Sequence, residues 1–180
     1  MINKAEQLIV RSASNSFDAM KMTTYADDYI VQGKSFTVNG ITTINAEATL
    51  NFLIKPDTSV SMFVLPFTIK SQSTYIQVRI YEDTDYTGGT AVSATNRNRI
   101  STNTLQATIT TGATGSDKGD LIISHAIFGS SLPQGTAYSG AGGSANAFIL
   151  DSSKKYLVEI ENTDGSNSTV VEYNAPIYEI

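Results

Sequence analysis

Cysteine and tryptophan are absent from this 180-residue chain, histidine occurs once and proline four times. Without cysteine there is no disulfide framework, no thiolate metal site and no cysteine nucleophile. The single histidine, His125, excludes a multi-histidine metal site within one chain. It lies in the apolar run Ile122-Ile123-Ser124-His125-Ala126-Ile127-Phe128, which fits a structural strand residue, and no nucleophile-elbow sequence accompanies it. A glycoside hydrolase needs two carboxylates astride a cleft, usually with aromatic platforms; here tryptophan is missing and the acidic residues sit mostly in turn-rich segments. Charge is sparse at 16%, with 12 Lys+Arg against 17 Asp+Glu, a net charge of -5 and no basic run. Phosphate neutralisation needs clustered cations, so nucleic acid is not an expected partner. The longest apolar stretches, such as Met62-Phe63-Val64-Leu65-Pro66-Phe67, fall far short of the ~20 residues that span a bilayer. The first eleven residues contain no secretory h-region, so neither a leader nor a membrane segment is expected.

What the chain does have is Thr, Ser, Gly and Asn, which make up 67 of the 180 residues. With 41% hydrophobic residues it is too apolar for a disordered chain, and it is too poor in strong helix formers for a bundle. Short strands joined by turns are the expected outcome. Ile76, Val78 and Ile80 alternate with Tyr75, Gln77, Arg79 and Tyr81, and the aliphatic face is the one to bury. Leu50, Phe52 and Ile54 alternate similarly, as do Leu105, Ala107 and Ile109, and Tyr156, Val158 and Ile160. Tyr29-Ile30-Val31-Gln32 reads as a further strand. Asn39-Gly40 and Asp164-Gly165 read as hairpin turns, because both central turn positions require positive φ. Pro66, inside the apolar run from Val60 to Lys70, predicts an edge strand or a bulge. Residues 129–146 read as a long glycine-rich loop, and Phe148-Ile149-Leu150 as a short buried strand.

Nine or ten strands and no convincing helix predict an all-β fold. The expected architecture is an antiparallel β-sandwich of jelly-roll type, with a closed β-barrel as the alternative. Residues 1–27, with the apolar patch Leu8-Ile9-Val10, read as an N-terminal arm or linker segment, and residues 28–180 as one sandwich domain.

Three polar segments are candidates for function. Glu82, Asp83 and Asp85 gather carboxylates beside Gly88-Gly89, but the spacing lacks the closing bidentate Glu of a calcium loop. Gly142 and Gly143, within Gly140-Ala141-Gly142-Gly143-Ser144-Ala145, lack the Lys-Ser/Thr ending and the following helix of a phosphate loop. Their meaning is conformational, either a loop tip or a close approach to a neighbour. Asn96-Arg97-Asn98-Arg99 is the most distinctive cluster. If it is extended, Arg97 and Arg99 share one face and Asn96 and Asn98 the other, and paired guanidiniums suit a protein interface as well as a solvated loop.

From about Tyr29 to the C-terminus, the ordered motifs resemble a known family. They are Tyr29-Ile30-Val31-Gln32-Gly33-Lys34, Val78-Arg79-Ile80-Tyr81-Glu82, and Gly89-Thr90-Ala91-Val92 leading to Asn96-Arg97-Asn98-Arg99. The glycine loop before Phe148-Ile149-Leu150, the run from Lys155 to Thr163 and the terminal Tyr178-Glu179 follow. The family is the head decoration proteins (capsid cement and head-fibre proteins) of tailed bacteriophages. The resemblance implies a virion structural protein with no catalytic activity, no cofactor and no metal. It implies a location on the outer surface of the head, the major capsid protein as partner, and self-association as a trimer or dimer. A receptor- or glycan-binding module of a head or tail fibre is the alternative. The candidate interface residues are Arg97, Arg99, Asn96, Asn98, Leu8, Ile9, Val10, Gly142 and Gly143.

Overall fold

Antiparallel pairing between distant segments organises the chain. A computed structural model describes residues 25–59, 62–64, 68–71, 75–127, 137–140 and 148–179. Among these residues one short helix, α1 (Tyr25–Val31), precedes thirteen strands. They are β1 (Ser35–Ile44), β2 (Thr49–Lys55), β3 (Met62–Val64), β4 (Thr68–Ser71), β5 (Ile76–Glu82), β6 (Thr90–Ala91) and β7 (Thr95–Asn96). After them come β8 (Thr108–Thr111), β9 (Asp120–Ile127), β10 (Ala137–Gly140), β11 (Phe148–Leu150), β12 (Tyr156–Asn162) and β13 (Thr169–Glu179). One sheet has the order β10-β4-β13-β1-β7, with β3 joining β13 to β11; the other runs β6-β8-β2-β12-β5-β9.

Counting β3 with β4 as one strand position and β10 with β11 as another, and setting β6 to β8 aside, leaves eight positions. The first pairs with the eighth (β1·β13), the second with the seventh (β2·β12), the third with the sixth and the fourth with the fifth (β5·β9). This is a long antiparallel ribbon. The third position then packs beside the eighth, and the fourth beside the seventh. That wrapping makes two four-stranded sheets, the jelly-roll form of the sandwich. The described ladders do not close into a barrel.

The inner faces carry the core. Phe36, Val38, Phe52, Ile54, Ile76, Val78, Ile109, Tyr156, Val158, Ile160, Val171, Ala175 and Ile177 form one buried cluster. Burying a side chain of this size contributes about 1.5–3 kcal/mol, which offsets the entropy of ordering the strands. β12 is buried on both faces, because Leu157 and Glu159 are covered on the outer side. There Lys118 Nζ reaches the Glu159 carboxylate at 2.9 Å and lies 5.7 Å from the Tyr81 ring centre. Asn51 fixes the same covering loop, donating to Ala113 O and accepting from Gly112 N.

Several sequence expectations are corrected. Tyr29-Ile30-Val31 is helical, so the boundary expected after residue 27 falls inside α1. Asn39-Gly40 lies mid-strand in β1, where Gly40 faces Tyr173; a Cβ there would stand 2.5 Å from Tyr173 Oη. This glycine makes room for a ring and turns no hairpin. Asp164-Gly165 connects two strands of different sheets. Pro66 lies outside the described residues; the strands before and after it, β3 and β4, are each paired on both sides. Pro176 of β13 pairs with Thr37 of β1, between the residues that β4 and β3 pair with. Glu179 N donates to Lys34 O, and by ladder alternation the Pro176 nitrogen points away from β1, so the β1 ladder needs no donor from it. The expected 129–146 loop contains β10. Of the expected buried strand 148–150, Leu150 is buried and Ile149 exposed.

Candidate functional site

β7 ends at Asn96, so strand alternation does not govern Arg97 or Arg99. The segment instead turns beneath the end of α1. That helix closes with Gly33 at φ +69, with Gly33 N donating to Ile30 O and Lys34 N to Tyr29 O. This pattern is a Schellman cap, and it leaves the next carbonyls without helical partners. Side-chain amides supply them. Asn98 Nδ2 donates to Val31 O (3.0 Å), Asn103 Nδ2 to Gln32 O and Gly33 O (3.3 Å each), and Asn96 Nδ2 to Gly33 O (2.9 Å). The donors also fold their own loop. Asn96 Nδ2 donates to Asn103 O, while Asn96 Oδ1 accepts from Asn98 N and Asn98 Oδ1 from Ile100 N.

Arg97 points the other way. Its Nη1 donates to Tyr178 Oη at 2.9 Å and to Ser35 Oγ at 3.4 Å, and its backbone N donates to Ser35 O. Tyr178 is buried on the outer face of β13, with the Tyr29 ring of α1 5.8 Å from its own. Arg99 is exposed. Val31, the last residue of α1, and Ile100, which follows Arg99, are 71% and 92% exposed. Asn98 holds the backbones of both. The result is a fixed corner that presents aliphatic and cationic groups to solvent.

The other candidates are placed differently. Glu82 receives Lys154 Nζ at 2.6 Å and Tyr156 Oη at 3.1 Å; the lysine first, then the tyrosine, hold its carboxyl below the usual range. Asp85 accepts from Ser116 Oγ, Ser116 N and Asp117 N, and the serine hydroxyl chiefly lowers its pKa. Both carboxylates are engaged in protein contacts that fix loops. Among the described residues no group of three or more His, Asp or Glu is placed to hold a metal ion. His125 is exposed on β9, opposite Val78. Leu8, Ile9, Val10, Gly142 and Gly143 lie outside the described residues.

Sequence reasoning singled out the Asn-Arg repeat but missed Asn103, Tyr178 and the aliphatic pair Val31 and Ile100. The spacing of amides at 96, 98 and 103 was a visible signal; their acceptors, about 65–70 residues upstream, were not. No family model, curated protein or solved structure matches the chain.

Proposed function

We propose that this protein is a non-enzymatic structural component of a tailed-phage particle, bound to the outer surface of the head, where it bridges capsomers and stabilises the shell. The motif resemblance supports this reading, and a jelly-roll domain is a rigid platform suited to it. The observation that carries it is the 96–103 corner. Its amides are consumed in holding a helix end and a loop, and what they present outward is Val31, Ile100 and Arg99. Such a surface adheres; it has no nucleophile, base or oxyanion donor arranged for chemistry. A protein that binds only the assembled shell stabilises it by mass action, and repeated copies multiply weak contacts through effective concentration.

Quantitative mass spectrometry of purified virions against the major capsid protein tests the proposal. Hundreds of copies in simple ratio to the shell protein are expected. A few to a few tens would reassign the protein to a fibre that recognises the host, and absence from the particle would overturn the virion reading altogether.

A further inference from the structure

β1 is a ten-residue strand with two unlike edges. β13 pairs with it from Ser35 to Ile44, but on the other side β7 pairs only with Phe36 and Thr37. In the other sheet the flanking strand β8 likewise stops at Phe52 of β2. At the level of residues 39–44 of β1 and 49–51 of β2, no strand among the described residues flanks either sheet on this side.

Ladder alternation decides which groups are left there. Glu179 N donates to Lys34 O and Arg97 N to Ser35 O, so the even-numbered residues of β1 bond to β13 and the odd-numbered ones face the β7 side. Beyond Thr37 these are Asn39, Ile41 and Thr43, whose N–H and C=O groups line the edge in a row. Their side chains are exposed on the outer face, Ile41 by 74%, while Val38, Gly40, Thr42 and Ile44 turn inward. Ala48 and Leu50 pack against the core at this margin and are only partly buried. Natural edges are blunted by charge, proline, a bulge or shortness. β6 and β7 are two residues long, and β9 carries Asp120 and a bulge. The stretch Val38-Asn39-Gly40-Ile41-Thr42-Thr43-Ile44 has no charge and no proline, and its register with β13 is unbroken.

The surroundings of this open half are acidic. Glu47 and Asp164 meet just past Ile44, where Glu47 N donates to Asp164 O, and Glu172 stands opposite Ile41 on the outer face. Lys70 pairs with Glu172 from β4, on the side away from β1. The cations Lys34, Arg97 and Arg99 belong to the Ser35 end, where Arg97 is turned onto Tyr178 and Ser35 and α1 adds Asp27 and Asp28.

We infer that the open half of β1 takes an extended segment of another protein, added as a strand antiparallel to β1. The segment is uncharged over about five residues, apolar at alternate positions and basic just before them. Main-chain bonds to Asn39, Ile41 and Thr43 hold it. Its inward side chains cover Ala48 and Leu50, and its leading lysine or arginine meets Glu47 and Asp164. The antiparallel direction continues the line of β7, whose Thr95 pairs with Thr37, and sets the segment's N-terminal side at Ile44.

The inference stands apart from the virion reading, because its test uses only the purified full-length chain and a synthetic peptide. The probe is fluorescein-labelled Lys-Lys-Val-Thr-Val-Thr-Val-Thr, and its control carries Glu-Glu in place of Lys-Lys. Fluorescence anisotropy should show saturable one-to-one binding of the probe. Amide hydrogen exchange should slow on binding at Asn39, Ile41 and Thr43 and stay unchanged at Gly40 and Thr42. Ile41→Pro removes one outward donor and no bond to β13, so it should weaken binding about tenfold or more with an unchanged circular-dichroism spectrum. Glu47→Lys, at an exposed position, should weaken the Lys-Lys peptide and strengthen the Glu-Glu control, a reversal that misfolding does not produce. No saturable binding at about 1 mM peptide overturns the inference, as does binding indifferent to both substitutions. Slow exchange of those three amides in the free protein overturns it too: independent of protein concentration, it means that the chain covers its own edge, and rising with concentration, that a second copy does.

Discussion

Replacing Asn162 should destabilise the sandwich more than replacing any exposed amide. Its side chain is fully buried at the end of β12 and ties three segments together. Nδ2 donates to Ile44 O (3.2 Å), Asn45 O (3.1 Å) and Asn167 O (2.8 Å), while Oδ1 accepts from Asp164 N (3.1 Å). These partners belong to the end of β1 in one sheet and to the approach to β13. With Asn162→Ala, the carbonyl of buried Ile44 loses a donor, at a cost of about 2–3 kcal/mol, and the partners nearer the surface lose about 1 kcal/mol each. A loss of about 5–6 kcal/mol is large against a total stability of roughly 5–15 kcal/mol. It lowers Tm by about 10–24 °C for a chain of this size. Asn162→Asp has the same shape but turns an oxygen towards three carbonyls. Ionisation there is opposed by burial and by those dipoles, so the folded-state pKa lies above the unfolded value of about 3.9. Between those two values the native state holds a proton that the unfolded state has released, and stability falls as pH rises through that window. Urea unfolding followed by tyrosine fluorescence should therefore show an Ala deficit that does not vary with pH. The Asp deficit should be smallest near pH 4 and larger at pH 7. An Ala variant within about 1 kcal/mol of the parent, or an Asp variant that gains on it as pH rises, would refute the reasoning.

The amide clamp on α1 makes a local prediction. Asn98→Ala combined with Asn103→Ala should speed amide hydrogen exchange at Gln32, Gly33 and Lys34 while leaving β12 protected, since the clamp acts on a peripheral element; unchanged exchange there would count against it. The carboxylates make an acid prediction. Lys154 and then Tyr156 hold the Glu82 carboxyl low, and Ser116 holds the Asp85 carboxyl low. A lowered folded-state pKa gives stability that is present above the unfolded value of about 4 and is lost as pH falls. Lys154→Met should flatten the acid limb of the stability profile, and an unchanged slope in acid titration would exclude that pair as a source of it.

Period-two alternation made β2, β5 and β12 legible, because each sets aliphatic side chains inward regardless of partner. The ribbon pairing of first with eighth and second with seventh positions was not legible, because register depends on contacts more than a hundred residues apart. Local rules failed where a distant residue supplied the reason. Gly40 serves the Tyr173 ring, and Pro176 is tolerated because its nitrogen points away from β1, whose ladder needs no donor from it. Tyr29-Ile30-Val31 has strand-like composition, yet it is a helix whose final carbonyls are met by three asparagines from far along the chain. The same limit applies to the candidate site. The cationic pair stood out in sequence, whereas the aliphatic pair that shares its corner comes from two separate segments.

The placement of β6, β7 and β8 explains why the two lateral edges of the sandwich differ. These strands lie between the fourth and fifth ribbon positions. They extend both sheets on one side, with β8 and β6 beside β2 and β7 beside β1. An exposed edge strand is a template for pairing with another chain, and here that side is occupied by short strands and a hydrogen-bonded loop. On the opposite side β9 pairs with β5 along one flank and carries the bulged Leu121-Ile122 step on its edge. A molecule with two such unlike edges can meet a second copy with the same edge of each, which is isologous, or with one edge against the other, which is heterologous.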